Sequence, residues 1–200
     1  MSLNNNFNIR RLERYLSVAY DSGAVPVVVL TKSDLCSDVE CKILAVQNAA
    51  LGVDVLAISS LDEDYEAVMP YILPSKTVAF IGSSGVGKST LINKLTGTDS
   101  IATREIGNDD KGRHTTTHRE LIQLPNSAFV IDTPGMRELG MWDSGDGIDT
   151  AFADIEELSR MCRYADCTHT SEPGCAVVRA LADGTLDAAR LASYRKLKTE

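Results

Sequence analysis

Three groups of residues in this 200-residue chain have types and spacings that can do chemistry. The first is Gly82-Ser83-Ser84-Gly85-Val86-Gly87-Lys88-Ser89, which fits the pattern G-x-x-x-x-G-K-[ST]. Glycines there let the backbone wrap a phosphate without Cβ clashes, and several N–H groups then point inward. Lys88 can reach the β- and γ-phosphates of a nucleotide, and the Ser89 hydroxyl, with Thr90 next to it, is placed to ligate Mg²⁺. The second group lies downstream. Asp132 can hold the second shell of that Mg²⁺, and Gly135, three residues on, lets its N–H approach the γ-phosphate. Between the two runs Gly112-Arg113-His114-Thr115-Thr116-Thr117. A threonine hydroxyl of that run can complete Mg²⁺ coordination while the γ-phosphate is present, which would make the segment a switch; Thr115, Thr116 and Thr117 all qualify. The third group is Cys162, Cys167, His169 and Cys175. Three thiolates and one imidazole suit a closed tetrahedral Zn²⁺ site, and four protein ligands leave no open position, so such a zinc is structural.

A phosphate loop does not by itself choose a base. Thr31-Lys32-Ser33-Asp34 resembles the N-K-x-D guanine motif of GTPases. The Asp34 carboxylate can accept from guanine N1–H and the exocyclic amine, a donor pair that adenine lacks. The Lys32 stem can lie over the base. Ser59 and Ser60 match the last GTPase motif, whose backbone N–H meets guanine O6. Thr31 departs from the usual asparagine, which braces the phosphate loop.

These residues need elements to hold them. Continuous apolar runs at 25–30, 54–58 and 77–81 read as strands buried on both faces, and 121–124 and 128–131 read as two more. Helical spacing runs over 10–20. Ser37 and Glu40 form a capping box for a helix that Gly52 stops, and 88–96 is a helix closed by Gly97. The guanine-type turn, the phosphate loop and Asp132 therefore each follow a strand. The alternation predicts an α/β domain with a mostly parallel sheet and helices on both faces. Residues 98–118 are polar and without period, as functional loops often are. After about 147 only helices are predicted, over 149–161, 176–182 and 187–198. The expected domains are thus 1–147 and 148–200. Met1-Ser2-Leu3 reads as an expression scar.

Composition excludes several classes. Hydrophobic residues make up 44% of the chain and charged residues 24%, as in globular domains rather than disordered ones. No apolar run is long enough to cross a bilayer, and no leader opens the chain. Five cysteines, an odd number, fit a reducing compartment, so the expected location is cytoplasmic. Cys36 and Cys41 read as unpaired thiols. The formal net charge of −8 argues against a general polyanion binder, yet 74–120 and 188–200 are locally positive. Arg104, Lys111, Arg113 and Arg119, with Arg190, Arg195, Lys196 and Lys198, are candidate contacts to RNA phosphates.

The order of the motifs is unusual. In ordinary GTPases the guanine and serine motifs come last, and here they come first. A circular permutation preserves the site because domain termini often lie close together. This order, with G-R-H-T-T-T, D-T-P-G and the C-terminal Cys/His cluster, resembles the RsgA (YjeQ) family over about 9–197. The resemblance implies a circularly permuted P-loop GTPase followed by a small α-helical zinc-binding domain. It implies GTP, GDP, Mg²⁺ and Zn²⁺ as ligands, Cys162, Cys167, His169 and Cys175 as the zinc set, and GTP hydrolysis stimulated by the small ribosomal subunit, including its RNA. Family members carry an N-terminal OB-fold, so this chain reads as a fragment; it is expected to be monomeric and free of membranes.

The expected chemistry is in-line attack of water on the γ-phosphate. Met136 stands where many GTPases have the glutamine that orients this water, which implies slow intrinsic turnover. His114 is the candidate for that role once a partner orders its loop. Two rival readings are an ATP-using P-loop enzyme and a non-catalytic RNA-binding zinc module.

Overall fold

Apolar β-branched residues at 27–31 and 54–58 form two of the strands that hold the site. The computed structural model describes residues 1–59, 63–97, 120–132 and 145–199. In chain order the elements are α1 (Ile9–Asp21), β1 (Val27–Thr31), α2 (Val39–Ala49), β2 (Asp54–Ile58), β3 (Thr77–Phe80), α3 (Lys88–Thr96), β4 (Glu120–Gln123), β5 (Phe129–Asp132), α4 (Gly145–Ala151), α5 (Ala153–Arg160), α6 (Ala176–Asp183) and α7 (Ala188–Thr199). Short 3-10 helices at Ser33–Leu35 and Glu63–Tyr71 complete the set.

The chain divides into two compact units. One comprises Met1–Asn8, Val27–Gln47 and Val53–Leu139; the other comprises Ile9–Pro26, Asn48–Gly52 and Gly140–Glu200. In the first, the described strands form two sheets. β1 and β2 pair in parallel, with Thr31 opposite Ile58. β5 lies between β3, which is parallel to it, and β4, which is antiparallel. Both sheets share one core, in which Ile58, Leu91, Ile92, Leu95 and Val130 are buried together with Val68 and Ile72 of the second 3-10 helix. That helix was not predicted. It contains Pro70, which denies the segment a regular α-helical bond.

Met1-Ser2-Leu3 is packed into the first unit. Ser2 and Leu3 are buried, the Leu3 N–H donates to the Thr31 carbonyl at 2.9 Å, and the Thr31 N–H donates to the Met1 carbonyl at 2.8 Å. These residues extend the ladder beside β1 and belong to the packed structure.

The second unit is helical. Where one helix was expected over 149–161 there are two. Phe152, at φ −118° and ψ 37°, interrupts the run, and its fully buried ring packs on Tyr194 at 5.6 Å. Its centre is also charged. Arg190, 6% exposed, grips Asp154 with two parallel bonds of 2.8 and 2.7 Å, reaches Glu13 at 3.2 Å, and lies 4.7 Å from the Phe152 ring centre. Glu13, 1% exposed, is shared with Arg10. No described buried side-chain nitrogen or oxygen lacks a partner, as a buried charge requires. Gly147 is held close to α1: its N–H donates to the Asp21 carboxylate at 2.6 Å, and a Cβ there would lie 2.2 Å from the Ser17 carbonyl oxygen.

This packing also corrects part of the expected phosphate-contact set. Arg190 is committed to buried carboxylates, whereas Arg195 and Lys198 stay exposed, the first donating to the His169 carbonyl and the second pairing with Asp149 and Glu156. Arg104, Lys111, Arg113 and Arg119 lie outside the described residues.

Candidate nucleotide site and metal centre

The parallel register of β1 and β2 brings the turn after Thr31 and the segment after Ile58 to one edge of their sheet. Lys32, at φ 62°, is left-handed and starts the 3-10 turn Ser33–Leu35. That turn leaves Asp34 exposed, as a carboxylate that reads a base must be. Ser59 is buried just after β2.

β3 delivers the phosphate loop, and its register places Phe80 opposite Asp132 of β5. Both the glycine loop and Asp132 therefore emerge at the same end of that sheet. Gly85 and Gly87 sit at φ 75° and 96°, a backbone region in which a side chain is strained, which explains glycine at these two positions. Gly87 also caps α3, its carbonyl accepting from the Leu91 N–H at 3.0 Å. The Lys88 ammonium folds over the loop, donating to the carbonyls of Gly82 at 2.6 Å and Ser83 at 3.0 Å. Ser83, Ser84, Ser89 and Thr90 complete the loop and the first turn of α3.

The base turn and the phosphate loop are tied together. The Thr31 hydroxyl donates to the Val86 carbonyl at 2.6 Å in a buried bond spanning 55 residues of sequence. Because a trans peptide directs C=O and N–H oppositely, that bond aims the Gly87 N–H away from Thr31. A threonine thus makes the brace expected of an asparagine. Ser60, His114, Thr115, Thr116, Thr117, Gly135 and Met136 lie outside the described residues.

The four candidate metal ligands come together. Cys162 follows α5, Cys167 and His169 lie on the connecting loop, and Cys175 is the N-cap of α6. Their ligand atoms all lie within 4.8 Å of one another. The Cys162 and Cys175 sulfurs are 3.8 Å apart, and His169 Nδ1 is 3.5 and 3.6 Å from them. A tetrahedral ion with bonds of about 2.3 Å to sulfur and about 2.0 Å to nitrogen requires edges of roughly 3.8 and 3.5 Å, so the Cys162, Cys175 and His169 atoms match the edges of a zinc site, with the Cys167 sulfur within 4.8 Å of each.

Electrostatics agree. Burial opposes ionisation of Cys162, but the N–H groups of Ala176 and Val177 at the start of α6, together with the Cys175 and Cys167 thiols, outweigh it and lower its pKa. Burial, then the Cys175 and Cys162 sulfurs, push the Cys167 thiol up to about 11.

The loop between the ligands is braced by Glu172. Its carboxylate accepts from the N–H groups of Thr168, Thr170 and Ser171 at 2.8, 2.9 and 3.0 Å, and the Thr168 hydroxyl first, then its own N–H and those of Thr168 and Thr170, hold it below the usual carboxylate range. Two partners of His169 were missed in the sequence. The Ser159 hydroxyl lies 3.1 Å from Nε2, and Arg195 donates to the carbonyl at 2.6 Å. Ser159 is on the last turn of α5 and Cys162 lies two residues beyond that helix, so helical spacing in the sequence did not join Ser159 to the ligand set.

Residues 1–142 match the model of the family described as RsgA GTPase. The chain belongs to the RsgA GTPase family. Among relatives, the small ribosomal subunit biogenesis GTPase RsgA 2 of Lactiplantibacillus plantarum is 55% identical over 202 residues, covering 100% of this chain and 57% of that protein. The small ribosomal subunit biogenesis GTPase RsgA of Methanosarcina acetivorans is 46% identical over 201 residues, covering 100% of this chain and 54% of its own length. The chain thus spans little more than half of these curated relatives. The crystal structure of YloQ, a circularly permuted GTPase, superposes with a TM-score of 0.72 at 30% identity, covering 100% of this chain and 65% of that one. YjeQ from Thermotoga maritima shares the fold, with a TM-score of 0.71 at 23% identity, covering 98% of this chain and 67% of that one. The fold is that of a circularly permuted RsgA-type GTPase, which accounts for the guanine-type turn preceding the phosphate loop.

Proposed function

We propose that this chain binds guanine nucleotide with Mg²⁺ and hydrolyses GTP to GDP and phosphate during late assembly of the small ribosomal subunit. The observation that supports this most is the Thr31–Val86 hydrogen bond, since it joins a turn suited to guanine with a loop suited to phosphates. Membership of a family whose relatives are named for that role adds to it.

In this reading Asp34 accepts from guanine, Lys32 covers the base, and Ser59 and Ser60 meet its O6. Residues 82–88 and Thr90 cradle the phosphates, with the Lys88 ammonium taking up charge on the β,γ-oxygens. Ser89 and Asp132 would hold Mg²⁺, with Thr115, Thr116 or Thr117 joining them, and Gly135 would meet the γ-phosphate. Bound Mg²⁺ would neutralise charge between the β- and γ-oxygens. His114 orients the attacking water. Cys162, Cys167, His169 and Cys175 hold a structural zinc. The nucleotide machinery occupies 1–147 and the metal module 148–200. The partner is the small subunit with its RNA, and the chain works as a cytoplasmic monomer. Among the described residues, no helix is long and apolar enough to cross a membrane.

The test is GTP hydrolysis by this chain with and without purified small subunits, alongside competition of bound nucleotide by ATP. Slow turnover that rises with subunits, and no displacement by ATP, are expected. Displacement by ATP as readily as by GTP would overturn the base assignment. His114→Ala should keep GTP affinity and lose at least about 10²-fold of stimulated turnover, the usual contribution of a positioned proton acceptor; unchanged turnover would remove His114 from the role.

A further inference from the structure

Ser159 lies on the last turn of α5 and has one hydroxyl hydrogen. That hydrogen is committed to the Ile155 carbonyl at 2.8 Å, a bond back along the helix. The oxygen lone pairs then face His169 Nε2 at 3.1 Å, an arrangement in which the ring donates and Nε2 carries the hydrogen. A neutral imidazole has one N–H, which leaves the lone pair on Nδ1. Nδ1 is the atom that faces the Cys162 and Cys175 sulfurs at 3.5 and 3.6 Å, the edges a tetrahedral cation requires.

We propose that Ser159 is a positioning residue of the metal centre, fixing His169 in the tautomer and ring orientation that present Nδ1 to the ion. The inference rests on the metal reading above. A half-turn of the ring about Cβ–Cγ would exchange Nδ1 for Cδ2 and turn a carbon toward the sulfurs; the Nε2–H bond opposes that turn. The main chain is fixed separately, since His169 sits at φ 59° and Arg195 holds its carbonyl. Ser159 contributes no ligand atom. It acts through the histidine, as outer-shell partners of metal-bound imidazoles do.

The experiment uses the full chain in three forms, the parent, Ser159→Ala and Ser159→Thr, each loaded with Zn²⁺. Zinc affinity is read by competition with a chromogenic chelator, and the His169 ring by long-range ¹H–¹⁵N NMR. The parent should hold one zinc through Nδ1, with an Nε2–H signal protected from solvent exchange. Ser159→Ala should bind zinc about 10-fold or more weakly and lose that protection, while Ser159→Thr, which restores the hydroxyl, should recover both. A parent that takes up no zinc overturns the metal reading and this inference with it. A loaded parent whose alanine variant keeps its affinity within about twofold overturns the inference alone. So does a ring bound through Nε2, a result the parent gives even where a variant fails to fold.

Discussion

At position 31 the side chain is short, β-branched and 7% exposed, and its hydroxyl donates to the Val86 carbonyl. Thr31→Val keeps the shape and removes the donor, leaving a buried carbonyl unpaired at a cost of about 1–3 kcal/mol. GDP affinity, measured by fluorescent-nucleotide titration, should fall about 10-fold, and Thr31→Asn should restore most of it. Equal affinities in parent and valine variant would show that the brace does not shape the loop. The phosphate loop was legible in the sequence because its strand, glycines, lysine and helix are consecutive, so local chemistry specifies all of it. The Thr31–Val86 bond was not, because its partners are 55 residues apart and only the fold joins them. The metal ligands were legible by residue type, whereas Ser159 was not, serine being common on helices for other reasons.

At the scale of elements, apolar runs and helical spacing located the strands and helices to within a few residues, because both signals come from burial on known faces. The split at Phe152 escaped that logic: a fully buried aromatic ring fits a helical pattern whether or not the backbone turns to seat it. The charged centre of the second unit escaped it as well. Arg190 looked like a basic tail residue and is instead the link among α1, α5 and α7, through Glu13 and Asp154. Arg190→Ala takes the bidentate partner from Asp154 and leaves Glu13, 1% exposed, with Arg10 alone, and should lower unfolding free energy by about 3–5 kcal/mol in a urea titration. Adding Glu13→Gln should recover part of the loss, since a buried amide costs less than a buried carboxylate that has lost one of its two cations. A loss below about 0.5 kcal/mol for Arg190→Ala would mean that the pair is not desolvated.

At the scale of the whole molecule, a unit carrying the nucleotide loops is joined in one chain to a helical unit carrying a cluster suited to zinc. The permuted motif order follows from the family's fold and keeps the guanine turn and phosphate loop in the same unit. Stripping metal with a strong chelator should therefore lower far-UV helical signal from the second unit while GDP affinity in the first stays within about twofold, because binding of a structural ion is folding free energy for the elements that ligate it. Joint loss of helix and nucleotide binding would contradict this separation.

The most direct test of the account is base choice at Asp34. Guanine presents two donors to this carboxylate, whereas xanthine replaces the amine with a carbonyl, which an asparagine amide can meet. In Asp34→Asn, GDP affinity should fall about 10²-fold, the loss expected for hydrogen bonds to a charged acceptor, and xanthosine diphosphate should become the better ligand. Undiminished GDP affinity, with xanthosine diphosphate rejected as strongly as by the parent, would contradict it.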